Sequence, residues 1–290
     1  GSKIPGFCTF ALGNPAAEGI PTAELQKCAT DIIMNDPSVV FKYGPIEGDD
    51  RLKEWIVNRL VHVKGFPARN NQVMMVAGSG KSLGYLPRVM CEPGDEVFFD
   101  RFSYPNSIYS VKNIGATATA IPMDAQGMIP EALEEHAKCG KGKYIYLIPN
   151  FQNPMGLTMP LQRRKNIYEI ARKYDLLIYE DDPYGEIRFA GESVPAFKSF
   201  DEDDRVVYAG SFSKTLSAVL RVGYTYANEK LDKKMKMIRG GDGQDAVFPQ
   251  VVIRKYLEQA DFDKHLKEIQ NIYRQKCELM LSLLDQHMPD

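Results

Sequence analysis

From about residue 72 onward the chain alternates short β-branched or aromatic runs with amphipathic stretches, and that alternation constrains its fold more than any other feature. Residues 72–77, 96–100, 117–121 and 143–149 read as strands. Between and beside them, 82–91, 106–113 and 129–138 read as helices. Within 161–174, Ile167, Ile170, Ala171 and Tyr174 fall on one helical face. Residues 176–179 and 205–208 are near-continuously apolar, the pattern of strands covered on both sides. Repeated strand-helix-strand units imply an α/β fold of three layers, with helices on both faces of a mostly parallel sheet. One pair breaks the rule. The strands at 206–210 and 222–227 are joined by too few residues for a helical crossover, so they should run antiparallel within a mixed sheet. Farther on, Leu266, Ile269, Ile272, Tyr273, Leu279, Met280 and Leu283 mark one long helix running from Lys264 almost to the last residue.

The bulk numbers mainly exclude. At 290 residues and 44% hydrophobic, the chain has material for one large domain or two smaller ones with proper cores. A formal net charge of -2 argues against nucleic acid or an anionic membrane as the main partner. No apolar run approaches the roughly 18 residues that a membrane span needs. The opening Gly1-Ser2 has the look of an expression scar, no charged-then-apolar leader follows it, and the expected location is the cytoplasm. Cys8, Cys28, Cys91, Cys139 and Cys277 are scattered without a CxxC pair, so neither a disulfide framework nor a zinc site is signalled. His62, His136, His265 and His287 lack any HExxH spacing, and no metal is expected.

Gly78-Ser79-Gly80-Lys81-Ser82 invites two wrong assignments. A Walker A loop needs a glycine where Met75 stands, and a dinucleotide fingerprint needs its third glycine one residue before Gly84. Small residues between a strand and a helix nevertheless expose backbone N–H groups to which a phosphate can bind. Taken alone, the segment is a plain strand-to-helix turn. Three further segments follow strands: Asn150-Phe151-Gln152-Asn153-Pro154-Met155-Gly156, then Tyr179-Glu180-Asp181-Asp182-Pro183-Tyr184, then Ser211-Phe212-Ser213-Lys214 with Arg221 beyond it. All lie just past strand C-termini, where open α/β sheets bind their ligands.

Together these motifs resemble the pyridoxal-phosphate aminotransferases of classes I and II, fold type I, over nearly the whole chain from about Leu12. The 2-aminoadipate and kynurenine types and the aminotransferase-like domains of MocR regulators look most similar. The resemblance implies that Lys214 holds pyridoxal 5'-phosphate as a Schiff base and then carries the proton between Cα and the cofactor. It implies that Asp181 pairs with the pyridine nitrogen and keeps the ring protonated. The family's D-x-x-Y spacing to Tyr184 selects Asp181 over its acidic neighbours, and a helix N-cap is the ordinary alternative. Tyr184 and Asn153 would bond the cofactor's phenolate oxygen, and Tyr104 would stack on its ring. Ser79 and Gly80 backbone, the Ser211 and Ser213 hydroxyls and Arg221 would grip the phosphate. Tyr43 matches a tyrosine that reaches the phosphate of the other subunit, which implies a homodimer. Gly13 resembles a glycine lining the substrate carboxylate pocket, beside Asn153. Each residue has a plainer identity in isolation: a solvated lysine, a core tyrosine, a turn asparagine.

Two positions depart from the family pattern. Gly80 stands where glutamine is common, which leaves backbone N–H groups to carry that contact, and Met155 replaces a threonine and adds bulk near Asn153. Both bear on substrate choice rather than on cofactor. The implied activity is amino-group transfer between an amino acid and a 2-oxo acid by a ping-pong route through pyridoxamine phosphate. The alternatives are a non-catalytic, cofactor-sensing domain of a MocR-type regulator and a related lyase or decarboxylase, since the same apparatus serves several reactions. The expected organisation is an N-terminal segment over 1–42, a cofactor-binding domain over 43–262, and a helix over 263–290 leading to a C-terminal small domain that the chain lacks. In the family that domain carries an arginine for the substrate carboxylate, so the chain is expected to bind cofactor but turn over poorly.

Overall fold

The computed structural model of the protein describes residues 13–288. Gly1, Ser2, Cys8 and Leu12, singled out above, lie outside the described residues, as do the last two residues, 289 and 290. The first half runs α1 (Thr22–Asn35), α2 (Ser38–Phe41), α3 (Asp50–His62), β1 (Asn71–Val76), α4 (Ser79–Ser82), α5 (Tyr85–Met90), β2 (Glu96–Asp100), α6 (Pro105–Lys112) and β3 (Thr117–Ile121). A short hairpin follows, β4 (Met123–Asp124) with β5 (Gly127–Met128). Then come α7 (Pro130–Ala137), β6 (Gly142–Leu147), α8 (Leu161–Lys173), β7 (Leu177–Asp181), β8 (Val206–Ser211), β9 (Gly223–Asn228), α9 (Glu229–Gly241), α10 (Phe248–Gln259) and α11 (Phe262–His287).

Seven strands form one sheet in the order β1-β9-β8-β7-β6-β2-β3. Five of them, β3, β2, β6, β7 and β8, pair in parallel, and β9 runs antiparallel to both β8 and β1. The expected antiparallel pair is therefore β8 and β9. Because β9 reverses direction twice over, β1 ends at the same edge as the parallel strands.

Strand residues alternate between faces, and both faces are dry. One face packs Met74, Val76, Phe99, Tyr146, Tyr179, Val207 and Ala209 against Leu86, Val111 and Met235 of α5, α6 and α9. On the other, Phe98, Ile145, Leu147 and Ile178 meet Leu133 of α7 and Ile167 and Ala171 of α8. Val73, Met75, Tyr208 and Tyr226 continue that face against α3 and α10. Burying each large apolar side chain contributes about 1.5–3 kcal/mol, so a buried charge in place of Ile145 would break the layer.

Of the helix expected over 82–91, residues 85–90 form α5, and α4 is a separate short turn ending at Ser82. Pro87 has no N–H for the Leu83 carbonyl, and a continuous helix would lose that bond and clash there. Restarting at Tyr85 places Pro87 within the first turn, where no intrahelical partner is needed. Ahead of Gln72, where the strand-helix alternation gives no signal, α3 forms on the spacing of Leu52, Ile56 and Leu60, all buried. Its N-cap Asp49 accepts from the Leu52 N–H at 2.8 Å. The long C-terminal helix is α11. Its first turns bury Phe262, His265, Leu266 and Ile269, whereas Leu279, Leu281, Leu283 and Leu284 stand exposed.

Candidate active site

The parallel strands deliver their C-termini to one edge of the sheet, so the turns beyond β1, β2, β6, β7 and β8 converge there. Gly78, with φ of +81°, starts the first turn in a conformation that favours glycine. A Cβ on Gly78 would lie 2.4 Å from an Arg221 guanidinium nitrogen, and one on Gly223 would lie 2.4 Å from the Ser79 nitrogen. These two glycines let the Ser79 turn, Arg221 and the start of β9 close into a cradle. Around Gly80 a Cβ would meet nothing within 4 Å, so the backbone there faces open space. Arg221 itself is exposed, with φ of +50°, and its guanidinium donates to the Ala77 carbonyl at 3.4 Å. A non-glycine residue held there is strained, and such strain gathers at functional sites. Lys81 turns away to Asp245 at 2.6 Å.

Lys214 lies seven residues before Arg221, half-buried, with its ammonium donating to the Gly13 carbonyl. Burial first, and the Arg221 charge second, hold its pKa below the usual lysine range. Both favour the neutral amine, the form that acts as nucleophile and base. Gly13 also borders a cavity of about 420 Å³ shared with Asn153 and Tyr184. The Asn153 amide donates to the Tyr184 hydroxyl at 3.5 Å. Tyr104, partly buried at the start of α6, packs with Tyr184 on the same core cluster. Ser211 accepts from the Ser213 N–H at 3.1 Å, which tightens the turn that carries Lys214.

Three consecutive carboxylates end β7, and their surroundings separate them. Glu180 accepts from the Phe197 and Lys198 N–H groups, each at 2.9 Å. Asp182 accepts from the Asn150 amide at 2.9 Å, the Tyr208 hydroxyl at 2.9 Å and the Gly185 N–H at 3.0 Å, and faces Lys64 at 3.4 Å. The next helical turn, Gly185–Ile187, is entered through Tyr184, and Asp182 accepts its first N–H. Asp181 is buried, and its Oδ2 accepts from the Tyr146 hydroxyl at 2.7 Å while its Oδ1 has no partner among the described residues. Desolvation pushes its pKa up to about 7 against the opposing Tyr146 hydrogen bond. A buried carboxylate oxygen without a donor costs free energy, and the protonated nitrogen of a pyridine ring is a donor suited to it. Among the described residues no group of three His, Cys, Asp or Glu side chains is placed to hold a metal.

The chain brings Gly13, Ser79, Gly80, Tyr104, Asn153, Asp181, Tyr184, Ser211, Ser213, Lys214 and Arg221 to this one edge. Tyr43 is the exception: at 97% exposed, its ring packs against none of them. Met155 is also half-exposed. Sequence reasoning missed Tyr146, which looks like any core aromatic, and Gln152. The Gln152 amide donates to the Phe102 carbonyl at 2.6 Å and to Asp100 at 3.3 Å, while its oxygen accepts from the Met155 N–H. That triple contact folds the loop presenting Asn153. Burial lifts Asp100 to about 7 as well.

Known proteins carry the same framework. The family model described as aminotransferase class I and II matches residues 10–287. The aromatic-amino-acid aminotransferase 1 of Thermococcus litoralis is 34% identical over 97% of this chain and 69% of its own length. A Pyrococcus horikoshii kynurenine aminotransferase, solved in complex with PMP, superposes with a TM-score of 0.91 at 32% identity, over 97% of this chain and 70% of that one. The α-aminoadipate aminotransferase of Thermus thermophilus, solved with N-(5'-phosphopyridoxyl)-L-leucine, gives 0.87 at 29% identity, over 97% and 71%.

Proposed function

The chain belongs to the class I and II aminotransferases, whose cofactor is pyridoxal 5'-phosphate, and we propose that the residues at the sheet edge divide the work of moving an amino group between an amino acid and a 2-oxo acid. When bound, the cofactor supplies a conjugated, protonated ring that accepts the electron pair left at the substrate Cα. Lys214 would bind it covalently, and its Nζ is the group placed to hold and move the proton at the substrate Cα. The lowered proton affinity of Lys214 and its hold on the Gly13 carbonyl suit that task. Asp181 accepts the ring N–H at Oδ1. Tyr184 and Asn153 hydrogen-bond the phenolate oxygen, and Tyr104 covers the ring. Arg221, the Ser79 and Gly80 backbone and the Ser211 and Ser213 hydroxyls hold the phosphate, joined by Tyr43 from the partner subunit of a homodimer. Gly13 and Asn153 border the substrate carboxylate.

One observation carries the reading: a buried carboxylate with one oxygen held and the other unpartnered, at the edge that presents Lys214. No helix among the described residues is long and apolar enough to cross a membrane. The test is to load the protein with cofactor, add a panel of amino acids, and follow loss of the lysine-bound chromophore. Stoichiometric formation of a 2-oxo acid supports transamination and identifies the donor. Ammonia or carbon dioxide in its place indicates a lyase or decarboxylase, and a bound cofactor that no amino acid converts indicates a sensing domain.

A further inference from the structure

Two buried phenols beneath the site have no part in the function proposed above. Tyr146 of β6 and Tyr179 of β7 are register partners on the sheet face that also carries Asp181. Each is 1% exposed, their rings stack at 5.7 Å, and Phe99 closes the other side of Tyr146 at 5.4 Å. The stack leaves the rings no room to turn, so their hydroxyls have fixed addresses. The Tyr146 hydroxyl reaches Asp181 Oδ2 at 2.7 Å. The Tyr179 hydroxyl meets the Ser82 hydroxyl at 2.6 Å, and Ser82 donates to the Ser79 carbonyl at 2.6 Å, which leaves Tyr179 the donor. Burial holds both phenols above the ordinary tyrosine range, so both keep their protons and act only as donors at Asp181 and Ser82.

We propose that Tyr146 is a positioning residue: its hydroxyl holds Oδ2 of Asp181 so that Oδ1 faces the pyridine nitrogen, and it acts on the reaction only through that carboxylate. The inference rests on the assignment of Asp181 made above. A buried carboxylate is free to rotate about its Cβ–Cγ bond unless one oxygen is tied, and among the described residues Tyr146 Oη is the side-chain group that ties this one. The same bond favours the charged form of Asp181. The titratable groups around that carboxylate are Tyr146 from β6, Tyr179 on β7, and Asp182 and Tyr184 in the turn beyond, of which Asp182 opposes the charge. Without the hydroxyl, Asp181 shifts toward its neutral acid, which cannot pair with a protonated ring.

The test compares Tyr146→Phe, Tyr179→Phe, Asp181→Asn and the double variant Tyr146→Phe/Asp181→Asn. In the cofactor-free chain, carbon NMR of labelled aspartate follows the Asp181 carboxyl, assigned by its loss in Asp181→Asn. Tyr146→Phe should raise its titration midpoint, and Tyr179→Phe should leave it in place. In the loaded protein, Tyr146→Phe should slow the half-reaction with an amino acid about tenfold, the scale of one hydrogen bond to a charged group. Cofactor affinity should hold, and the same substitution should have no further effect in the Asp181→Asn background. An unmoved carboxyl titration overturns the inference, as does an equal loss in both backgrounds, which would mark general packing. An Asp181→Asn protein as fast as the parent overturns the assignment of Asp181 and the inference with it. Loss in Asp181→Asn with Tyr146→Phe silent overturns the inference alone.

Discussion

The two ends of the proposed cofactor site are built from different materials. At the ring end the chain uses buried side chains from adjacent strands, with Asp181 at 5% exposed and Tyr146 and Tyr179 at 1%. At the phosphate end it uses turn backbone made accessible by Gly78 and Gly223, together with the exposed Arg221. The chemistry of each partner explains the choice. A phosphate is charged at every working pH, so backbone N–H groups and a guanidinium, none of which titrates, suffice even where water enters. A pyridine nitrogen is useful only while protonated, and a carboxylate controls that only where low dielectric makes its charge felt. On the proposed assignment the ring end governs rate and the phosphate end governs occupancy.

That division is open to test. The largest effect belongs to Lys214, which serves both ends. Borohydride reduction followed by peptide mass analysis should find the pyridoxyl group on Lys214, and Lys214→Ala should abolish transfer; the label on another lysine would break the assignment. Next comes Asp181→Ala, expected to slow proton removal at Cα about 10²–10³-fold, the scale of a lost electrostatic element, with cofactor affinity little changed. Should Asp182→Ala do the greater damage, the ring end has been placed one residue early. At the other end the pattern inverts. Arg221→Ala should weaken cofactor binding about 10–150-fold, as expected for hydrogen bonds to a charged group, and leave the rate of the loaded protein nearly intact. Gly78→Ala, which pushes into the same guanidinium, should weaken it less; titration of the chromophore measures both.

A smaller effect separates the ends by pH. Asp181 is raised from 3.8 to about 7 by burial, so the folded, cofactor-free chain binds its proton more tightly than the unfolded chain. Stability from this group is fully present below the unfolded value and is lost as pH rises through about 7. Asp181→Asn removes the loss. Its melting temperature relative to the parent should climb between pH 5 and pH 8 by several degrees, at about 2–4 °C per kcal/mol for a chain of this size. No change with pH would mean the ring end is wetter than its burial indicates. The smallest effect concerns Tyr43. Tyr43→Phe should weaken cofactor binding a few-fold, and mixing it with Lys214→Ala chains should restore one site with both native groups. A monomer that binds cofactor at full affinity would remove Tyr43 from the phosphate end.

Much of this was legible from residue order. The alternation from residue 72 specified the sheet, and the short link between β8 and β9 specified their antiparallel pairing. Turn signals did the rest, because Gly78, Asn153-Pro154 and Ser211-Phe212-Ser213-Lys214 each act over a few residues. Local rules were less reliable where helix competed with turn: 82–91 carried helical spacing, yet the helix begins only at Tyr85, with Pro87 in its first turn. Tyr43 illustrates another boundary, since its full exposure says nothing of a role until a second chain is considered.

The acidic triplet shows where the division falls. Residue order alone put Glu180, Asp181 and Asp182 at the end of a buried strand, and alternation along that strand sends neighbouring side chains to opposite faces. What waits on each face comes from far away in the chain. Tyr146 reaches Asp181 across 35 residues, and Lys64 reaches Asp182 across 118. Tertiary structure thereby left one carboxylate of the three with an unpartnered oxygen, neutralised the second with a lysine, and tied the third to backbone. Proton affinity and hydrogen-bonding capacity depend on what surrounds a group within a few ångströms, and the packing of the sheet, not neighbourhood in sequence, decides which groups those are.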